Sequence, residues 1–453
     1  MTRSKRGVGR FAGSVRAGAA VLAGGFPAAE RTVLPNGATV LAACTPSLHS
    51  ATVATYFRVG SRHEVPARNG ISHFVEHLLF RGSQGYPDTR AMNAAVEAAG
   101  GSLNAMTARD HTCYFTPIHP AGVRVAVEVL VDLARRPLFR DLEVERQVIL
   151  EEILDEVDAR GRDVDPDNLV KRRAFRAHGL GLKIAGTRGT VGALRRAEVR
   201  DHHARHYVGS NAVLVVAGPI PPAEVVEMAR VSLGALPAGP RTPSLRPPAW
   251  PDGPSITTVE HDDAQVEFTL AFPGTPERHR DHPAALVLRR MLDDGLSSRL
   301  PFEIVERQGL AYSIHAGLES FEDAGVFTVE GACSPPRLEK VVSEVLRVIG
   351  EVCAEPPDPE ELRRVQERHR VSMVFALDSP MDLVGWFGIG EVMGAPEALE
   401  RRCLRVESVR PADVRRVARA LFRRRGLLAV AVGPGAAGMR RALQRAVEGS
   451  RLP

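Results

Sequence analysis

Hydrophobic positions along the chain recur with the period of β-strands in some segments and with that of α-helices in others. Apolar residues alternate with polar ones over 32–43 around the turn dipeptide Asn36-Gly37, which predicts a β-hairpin. The nearly unbroken apolar run over 51–60 is typical of a buried strand. The same patterns predict strands at 102–107, 112–117 and 212–217, and helices at 71–80, 89–99, 121–135, 141–160 and 199–207.

A second run of these patterns follows a proline-rich interruption. Seven prolines occupy the eighteen residues of 237–254, so this stretch is expected to be a semi-extended linker and not a packed element. Beyond it the pattern predicts strands at 255–260 and 266–272, and helices at 282–293, 338–354 and 358–376. The chain therefore divides into two parts of similar character.

The two parts align with each other near their ends. Val199–Tyr207 aligns with Val414–Phe422, and Val213–Gly218 aligns with Leu428–Gly433, both at a gap-free shift of 215 residues. One shared shift indicates an internal duplication. The predicted fold class is α+β, with two similar duplicated domains, each an antiparallel-rich sheet packed with helices. The expected boundaries are a basic tail or weak targeting segment at 1–30, a first domain at 31–236, the linker at 237–254 and a second domain at 255–446.

Composition and charge exclude some classes of function. The 453 residues are 44% hydrophobic and 25% charged, with a net charge of +5 that is small for this length. No apolar run approaches about 18 residues, and the sequence shows neither zinc-finger spacing nor a basic-aromatic stripe, so neither a membrane span nor nucleic-acid binding is expected. Five widely spaced cysteines without a C-x-x-C pair fit a reducing, cytoplasmic location. The basic N-terminus leaves export or organelle targeting open.

The predicted helix at 71–80 carries the most specific chemical pattern in the chain. His73 and His77 lie one helical turn apart with Glu76 beside them, which is the inverted H-x-x-E-H zinc pattern. Two imidazoles can bind one divalent ion while the carboxylate accepts a proton. The alternative, a surface turn with incidental histidines, is disfavoured because the intervening and following residues are apolar, namely Phe74, Val75, Leu78, Leu79 and Phe80.

The corresponding helix of the second part lacks these side chains. It lies near 283–292, where Ala285, Leu288 and Arg289 occupy the positions of the two histidines and the glutamate. The first domain is therefore expected to be the metal-binding catalytic domain, and the second to share its scaffold without the metal site.

A catalytic zinc is held by three protein ligands and a water, so the two histidines leave one ligand to be found. The predicted helix at 141–160 presents Glu145, Glu152 and Glu156 on one face beside its apolar stripe. Helix geometry alone leaves the choice among these carboxylates open, and a solvated helix edge is the alternative interpretation.

Several stretches together resemble the pitrilysin-type (M16) zinc peptidases, in particular the bacterial relatives of the mitochondrial processing peptidase. They are HFVEHLLFRGS at 73–83, GGSLNAMTARDHTCYF at 100–115, ERQVILEEI at 145–153, VLVVAG at 213–218 and SSRLPFEIVERQGLAYSI at 297–314. The resemblance extends over 32–433, nearly the whole chain.

The resemblance implies a role for each residue of the motif. His73 and His77 would bind a single zinc ion per chain, and Glu76 would act as the general base. The resemblance selects Glu152 as the third ligand and Glu145, seven residues earlier, as a supporting catalytic acid.

The resemblance also implies where a substrate would bind. The strand at 102–107, with Asn104 and Ala105, would receive the peptide as an added β-strand. Tyr312 of the second domain would stabilise the oxyanion, although a core tyrosine in a strand is the alternative. The family often places an arginine seven residues before this tyrosine, but here Val305 occupies that position, and the nearby arginines, Arg299 and Arg307, are out of register.

The leading hypothesis is a zinc-dependent endopeptidase that hydrolyses unfolded or extended peptides with a metal-activated water. Members of the family close two such chains into a chamber, so a homodimer or a heterodimer with a related subunit is expected. A non-catalytic subunit of the same fold, which binds peptides or assists assembly, is the first alternative, and Val305 favours it. An unrelated metal-binding or structural α+β protein is the second.

Overall fold

The computed structural model describes residues 25–453, so most of the tail predicted at 1–30 lies outside the described residues. The first strand begins at Ala29, a few residues before the predicted start of ordered structure near Thr32. Across the described residues, every helix is too short or too polar to cross a bilayer.

The first half of the described chain contains six strands, with two helices between β3 and β4 and five between β5 and β6. Its strands are β1 (Ala29–Val33), β2 (Thr39–Cys44), β3 (Ala51–Phe57), β4 (Asn104–Thr107), β5 (Thr112–Ile118) and β6 (Ala212–Gly218). Its helices are α1 (Ile71–Leu79), α2 (Thr89–Ala98), α3 (Val123–Arg135), α4 (Leu142–Leu154), α5 (Pro166–Phe175), α6 (Arg188–Ala193), α7 (Arg196–His206) and α8 (Pro222–Val231).

The second half repeats this order of elements. Its strands are β7 (Ser255–Glu260), β8 (Val266–Pro273), β9 (Ile314–Ser320), β10 (Gly325–Cys333) and β11 (Leu428–Gly433). Its helices are α9 (His282–Leu292), α10 (Leu338–Ala354), α11 (Pro359–Ala376), α12 (Pro380–Val392), α13 (Leu399–Glu407), α14 (Pro411–Leu421) and α15 (Ala436–Glu448), with a short π-helix at Pro301–Arg307.

The five strands of the second sheet correspond in order to β2, β6, β3, β5 and β4 of the first, and β1 is an additional edge strand. The first has the order β1-β2-β6-β3-β5-β4 and the second the order β7-β11-β8-β10-β9. One parallel pair, β2 with β6, is matched by β7 with β11, and the other pairs are antiparallel. The predicted fold class, two duplicated α+β domains with antiparallel-rich sheets, is confirmed.

Each sheet is covered on one face by a helix from the other half of the chain. Helix α12 lies across β3 and β6 of the first sheet, where Leu383 and Val384 pack against Tyr56. Helix α5 lies across β8 and β11 of the second sheet, where Val170 joins a cluster with Val430. Because the apolar positions of both helices are buried against the opposite sheet, the two halves share their hydrophobic cores.

The halves also meet at the tips of two equivalent hairpins, β4–β5 and β9–β10. Asp110 at the first tip accepts a hydrogen bond from the backbone N–H of Glu322 at the second, at 3.2 Å. The buried Arg62 guanidinium contacts Asp110 and also Asp323, with a nitrogen–oxygen distance of 3.3 Å to the first and 2.5 Å to the second. The hairpin that carries β4 is therefore fixed at its turn by charged groups from both halves.

The proline-rich stretch at 237–254 has no helix or strand, as expected, but it is not a free spacer. The buried Arg58 donates to the carbonyl of Thr242 at 3.2 Å, and Arg62 donates to that of Leu245 at 3.0 Å. Near its end, the Trp250 indole donates to the carbonyl of Gly426 at 2.8 Å. The stretch is thus held from both sides: side chains of the first half satisfy two of its backbone carbonyls, and its own Trp250 donates to the second half.

Helix α4 ends at Leu154, six residues before the predicted end at 160. The Asp158 carboxylate accepts backbone hydrogen bonds from Arg160 and Arg162 at 2.9 and 2.8 Å, and Val157 forms an isolated bridge with Asp163. Aspartate thus competes with the helical hydrogen-bond pattern and closes a turn at Gly161, which has a φ of 72°.

The hairpin turn gives a prediction about acid stability. His111 is fully enclosed beside the Tyr56 ring, and neither of its ring nitrogens has a hydrogen-bond partner among residues 25–453. Burial lowers the pKa of His111 from 6.5 to about 4. Between about pH 6.5 and 4, His111 is therefore protonated in the unfolded chain but neutral in the folded protein. The free energy of unfolding is unaffected by this group above that range and decreases as the pH falls through it.

Between pH 7 and pH 4, the free energy of unfolding is expected to decrease less in His111→Phe than in the wild type. The difference is on the order of 3 kcal/mol. Urea unfolding at both pH values measures the effect, with His49→Phe at an exposed position as the matched control. An unchanged slope in His111→Phe would show that this ring is protonated equally in both states.

Candidate metal centre

Helix α1 begins on a buried carboxylate that caps it from outside the helix. Glu64 accepts hydrogen bonds from the backbone N–H groups of Gly70 and Ser72 at 2.8 and 2.9 Å. The side chain of Asn69 donates to the same carboxylate at 2.9 Å. Gly70 has a φ of 91°, and an added Cβ would lie 2.7 Å from the carbonyl oxygen of Ala185, so this entry to the helix requires glycine. The carboxylate also complements the positive end of the helix dipole.

The apolar side of α1 is buried in the core of the first domain. Its buried residues are Ile71, Phe74, Val75, Leu78 and Leu79. The remaining face directs His73, Glu76 and His77 toward α4 and β4, both of which contact the helix. The amphipathic pattern of the helix thus fixes these three side chains on one side.

His73, His77 and Glu152 converge on one point. The Nε2 atoms of the two histidines are 3.2 Å apart, and each lies 3.7 Å from an oxygen of the Glu152 carboxylate. These ligand atoms all lie within 4.8 Å of one another, and no other group of metal-ligating side chains within residues 25–453 converges in this way. Glu152 reaches the point from α4, across the groove from α1.

Glu145 fixes the orientation of one of the imidazoles. Its buried carboxylate lies 2.9 Å from Nδ1 of His77, which leaves Nε2 of that ring facing His73. Burial lowers the pKa of His77, but the hydrogen bond to Glu145 and the charges of Glu152 and Glu76 outweigh it, so that the pKa is raised. Burial raises the pKa of Glu145, and its bonds to His77 and Arg81 bring the pKa below its usual range. A carboxylate behind a ligating histidine is the usual support of a zinc site.

The donor set fits a zinc ion. Burial and the charge of His77 lower the pKa of His73 to about 4, so that ring is neutral and one of its nitrogens has a free lone pair for a metal. Two imidazole nitrogens so close together repel each other unless a proton or a cation lies between them. Two histidines and one carboxylate with an open fourth position form a recurrent catalytic zinc set.

Glu76 lies next to this cluster without being part of it. Its carboxylate accepts a hydrogen bond of 2.5 Å from the hydroxyl of Thr107, at the end of β4. Burial raises the pKa of Glu76, although the bond from Thr107 and the charge of His77 oppose the shift. A carboxylate with a raised pKa is a better proton acceptor at neutral pH than an ordinary exposed one.

The structure distinguishes among the three carboxylates that helix geometry left open. Glu152 faces the histidines, and Glu145 supports one of them from behind. Glu156 lies beyond the end of α4, where its carboxylate forms an ion pair with Lys183 at 2.7 Å. The early end of α4 thus removes Glu156 from the face that the sequence assigned to it.

Asn104 and Ala105, predicted to bind substrate, lie in β4 at the edge of the first sheet. Asn104 is exposed and donates to the backbone carbonyl of Ser102 at 3.1 Å, whereas Ala105 packs against the core of the first domain. Because β4 pairs only with β5 among residues 25–453, its other side is an edge to which a further strand can be added.

Tyr312 lies apart from the buried cores. Its side chain is 92% exposed, in the segment between the π-helix and β9, so the alternative of a core tyrosine in a strand was wrong. Val305 packs against the core of the second domain. Arg299 forms two hydrogen bonds with Glu361, at 2.8 and 2.6 Å, and is thereby held within the second domain.

The roles of two residues of the site were not predicted from the sequence. Thr107 holds Glu76, and Glu64 caps α1, yet neither belongs to the zinc pattern. The threonine lies at the end of a predicted strand and could have been marked as a polar residue at a strand terminus. The glutamate precedes the helix by more residues than a standard capping box allows, so no local signal indicates its role.

Comparisons with known proteins bear on the family of this chain. A family model described as insulinase (peptidase family M16) matches residues 39–188, and one described as the peptidase M16 inactive domain matches residues 193–368. An uncharacterized zinc protease of Streptomyces coelicolor is 32% identical over 423 residues, which covers 90% of this chain and 90% of the relative. The chain belongs to the M16 peptidase family. The resemblance inferred from its motifs is thereby confirmed.

Further relatives of this M16 chain agree in sequence and in fold. A probable mitochondrial-processing peptidase subunit beta of Arabidopsis thaliana is 27% identical over 426 residues, covering 90% of this chain and 79% of the relative. A protease from Helicobacter pylori has a similar structure, with a TM-score of 0.84 and 22% identity over 90% of this chain and 100% of that one. The latter similarity bears on the fold alone.

Proposed function

We propose that this M16 chain is a zinc-dependent endopeptidase that cleaves unfolded or extended peptides. The observation that carries the proposal is the convergence of His73, His77 and Glu152 on one point, with Glu76 beside it. The zinc protease name of the Streptomyces coelicolor relative supports the same chemistry.

Zinc bound by this ligand set would lower the pKa of a coordinated water toward neutrality and polarise the scissile carbonyl. Glu76 accepts the proton of the attacking water and returns it to the leaving amine. Thr107 orients Glu76 through a hydrogen bond from its hydroxyl. Glu145 forms a hydrogen bond with Nδ1 of His77, so that Nε2 of the same ring faces the ligand cluster. Tyr312 is proposed to stabilise the oxyanion, which requires it to approach the site from its exposed position.

The substrate is proposed to lie along β4 as an additional strand. The free edge of β4 offers its backbone N–H and C=O groups to a peptide, with Asn104 and Ala105 at the beginning of the strand. Only an extended backbone can pair in this way, so the proposed substrates are unfolded or extended peptides.

A non-catalytic M16 subunit is the second candidate. Val305 stands where the family often has an arginine, and the family model that matches 193–368 is described as an inactive domain. The complete ligand set of the first half opposes this candidate.

The M16 chain is proposed to work as a homodimer or as a heterodimer with a related subunit. The exposure of Tyr312 supports an active arrangement that involves a second chain or a closing movement. Sedimentation of the purified protein tests this, and a fully active monomer would refute it.

A cytoplasmic location is proposed because all five cysteines are free and four of them are buried.

Metal analysis combined with a cleavage assay tests the proposed function. The purified chain is expected to contain one zinc ion and to cleave an unstructured peptide, to lose activity with a chelator and to regain it with zinc. Zinc without cleavage of any peptide would favour the non-catalytic subunit. Absence of both would refute the metal centre.

Glu152→Ala is expected to lower zinc affinity more than Glu145→Ala does. Loss of Glu152 removes a ligand, whereas loss of Glu145 releases only the support of His77, for which a decrease of about 10- to 100-fold is typical. Titration of the metal-free protein with zinc measures both affinities. Glu151→Ala, at the exposed neighbouring position on α4, is the matched control. Equal affinities in the two site variants would contradict the assignment of Glu152 as the ligand.

A further inference from the structure

A cavity of about 670 Å³ lies between the first sheet and α12. It is enclosed by the β4–β5 hairpin on one side and by a helix of the second half on the other. Its apolar lining includes Tyr56, Met106, Phe115, Val384, Trp386 and Ile389. The volume lies within the range of about 300–1,000 Å³ that ligand pockets occupy.

The two faces of β4 divide between this cavity and the candidate metal centre. Thr107 bonds to Glu76, and Ala105 packs into the first core, so these alternate positions face α1. Met106 faces the opposite way: its cross-strand partner is Cys113, which belongs to the cluster under α12. The Met106 side chain lines the cavity and is 49% exposed, so the cavity reaches the free edge of the sheet.

A peptide that pairs with β4 continues this alternation. Successive side chains of a strand point to opposite faces of the sheet, so every second side chain of the added strand faces α12, beside Met106. We propose that this cavity is a specificity subsite for a large apolar side chain, aromatic or long aliphatic, of the bound peptide. The inference rests on the proposed binding of substrate along β4.

The polar groups at the rim support an apolar occupant and disfavour an acidic one. Three carboxylates line the cavity, those of Glu277, Asp382 and Glu397, together with one guanidinium, that of Arg402. Arg402 is already engaged, because it donates to Glu277 at 2.5 Å and lies 4.4 Å from the centre of the Trp386 ring. The described lining residues therefore offer no unpaired cation to an acidic side chain, whereas an apolar side chain would cover Trp386 and Phe115.

Gly385 of α12 lines the cavity, and the space beside its Cα is empty. A Cβ added at this position meets no atom within 4 Å, although three residues later a Cβ at Gly388 would lie 2.2 Å from the ring of Tyr56. Glycine inside a helix costs about 1 kcal/mol relative to alanine. A larger residue at 385 can thus occupy the cavity and is expected to favour the helix.

Gly385→Leu tests the subsite by filling it. Two unstructured peptides serve as substrates: an alanine-rich one, and one that carries a single phenylalanine at successive positions around the scissile bond. In the wild type, phenylalanine at one position is expected to raise kcat/KM over alanine by roughly 10-fold or more, up to about 200-fold. Gly385→Leu is expected to abolish this preference while it retains cleavage of the alanine-rich peptide. Gly438→Leu, at an exposed helical glycine of α15 with equal free space, is the control.

Binding to the metal-free protein tests the subsite without cleavage. Trp386 and Trp250 are the two tryptophans of the chain, so a Trp250→Phe background isolates the fluorescence of Trp386 in the cavity. The phenylalanine peptide is expected to shift this signal, and Gly385→Leu to remove the shift. Absence of any shift, or a loss of cleavage that is equal for both peptides in Gly385→Leu, overturns the subsite. Failure of the wild type to cleave either peptide refutes the endopeptidase proposal instead, while the fluorescence titration still decides on the subsite.

Discussion

Glu76→Gln is expected to leave the bound zinc in place and to lower kcat of peptide cleavage by roughly 10²- to 10⁴-fold. Glutamine has the size of glutamate and can still accept a hydrogen bond from Thr107, so the fold around α1 is retained. It cannot accept the proton of the attacking water, and general-base catalysis is lost. Because Glu76 is not among the converging ligand atoms, the affinity for zinc is expected to change little.

Zinc content and cleavage of one unstructured peptide are measured on the same preparations. Glu97→Gln, at an exposed position of α2, controls for the loss of one negative charge. Full activity of Glu76→Gln would refute the role of Glu76 as the general base. Loss of zinc together with activity would instead place Glu76 among the groups that hold the metal.

The local part of the site could be predicted from the sequence because its determinants are local. His73, Glu76 and His77 lie within one turn and a half of an amphipathic helix, and the helical period alone sets them on one face. Glu152 was identified from the resemblance to a family, since the face of a predicted helix offered three carboxylates. The structure separates them because α4 ends before Glu156, and this end depends on a turn closed by Asp158.

The contacts between the halves could not be predicted in this way. The apolar patterns of α5 and α12 indicate that each helix is buried, but a pattern does not identify the surface that buries it. Each helix crosses to the sheet of the other half, and the proline-rich stretch is held by Arg58 and Arg62 from the first half. These contacts join residues far apart in sequence, and they also create the cavity beside α12.

Arg62→Met is expected to lower the free energy of unfolding by about 3–5 kcal/mol, the cost of removing one member of a buried ion pair. The Arg62 side chain is completely buried and contacts Asp110, Asp323 and the carbonyl of Leu245. Methionine retains much of the apolar stem but leaves the carboxylate of Asp110, which is itself buried, without its cation. Urea unfolding measures the loss, and Arg363→Met at an exposed position of α11 is the matched control.

The pH dependence of this loss identifies its cause. Burial raises the pKa of Asp110, and Arg62 opposes the shift, so the pKa is expected to rise further in Arg62→Met. A carboxyl group whose pKa is raised in the folded state does not destabilise the protein at low pH, where it is neutral. As the pH rises through that pKa, the buried group becomes charged and the free energy of unfolding decreases. The deficit of the variant is therefore expected to be smaller at pH 4 than at pH 7, and Asp110→Asn in the same chain is expected to recover part of it. Equal deficits at both pH values, without recovery by asparagine, would mean that Arg62 stabilises the contact between the hairpin tips through packing and not through its charge.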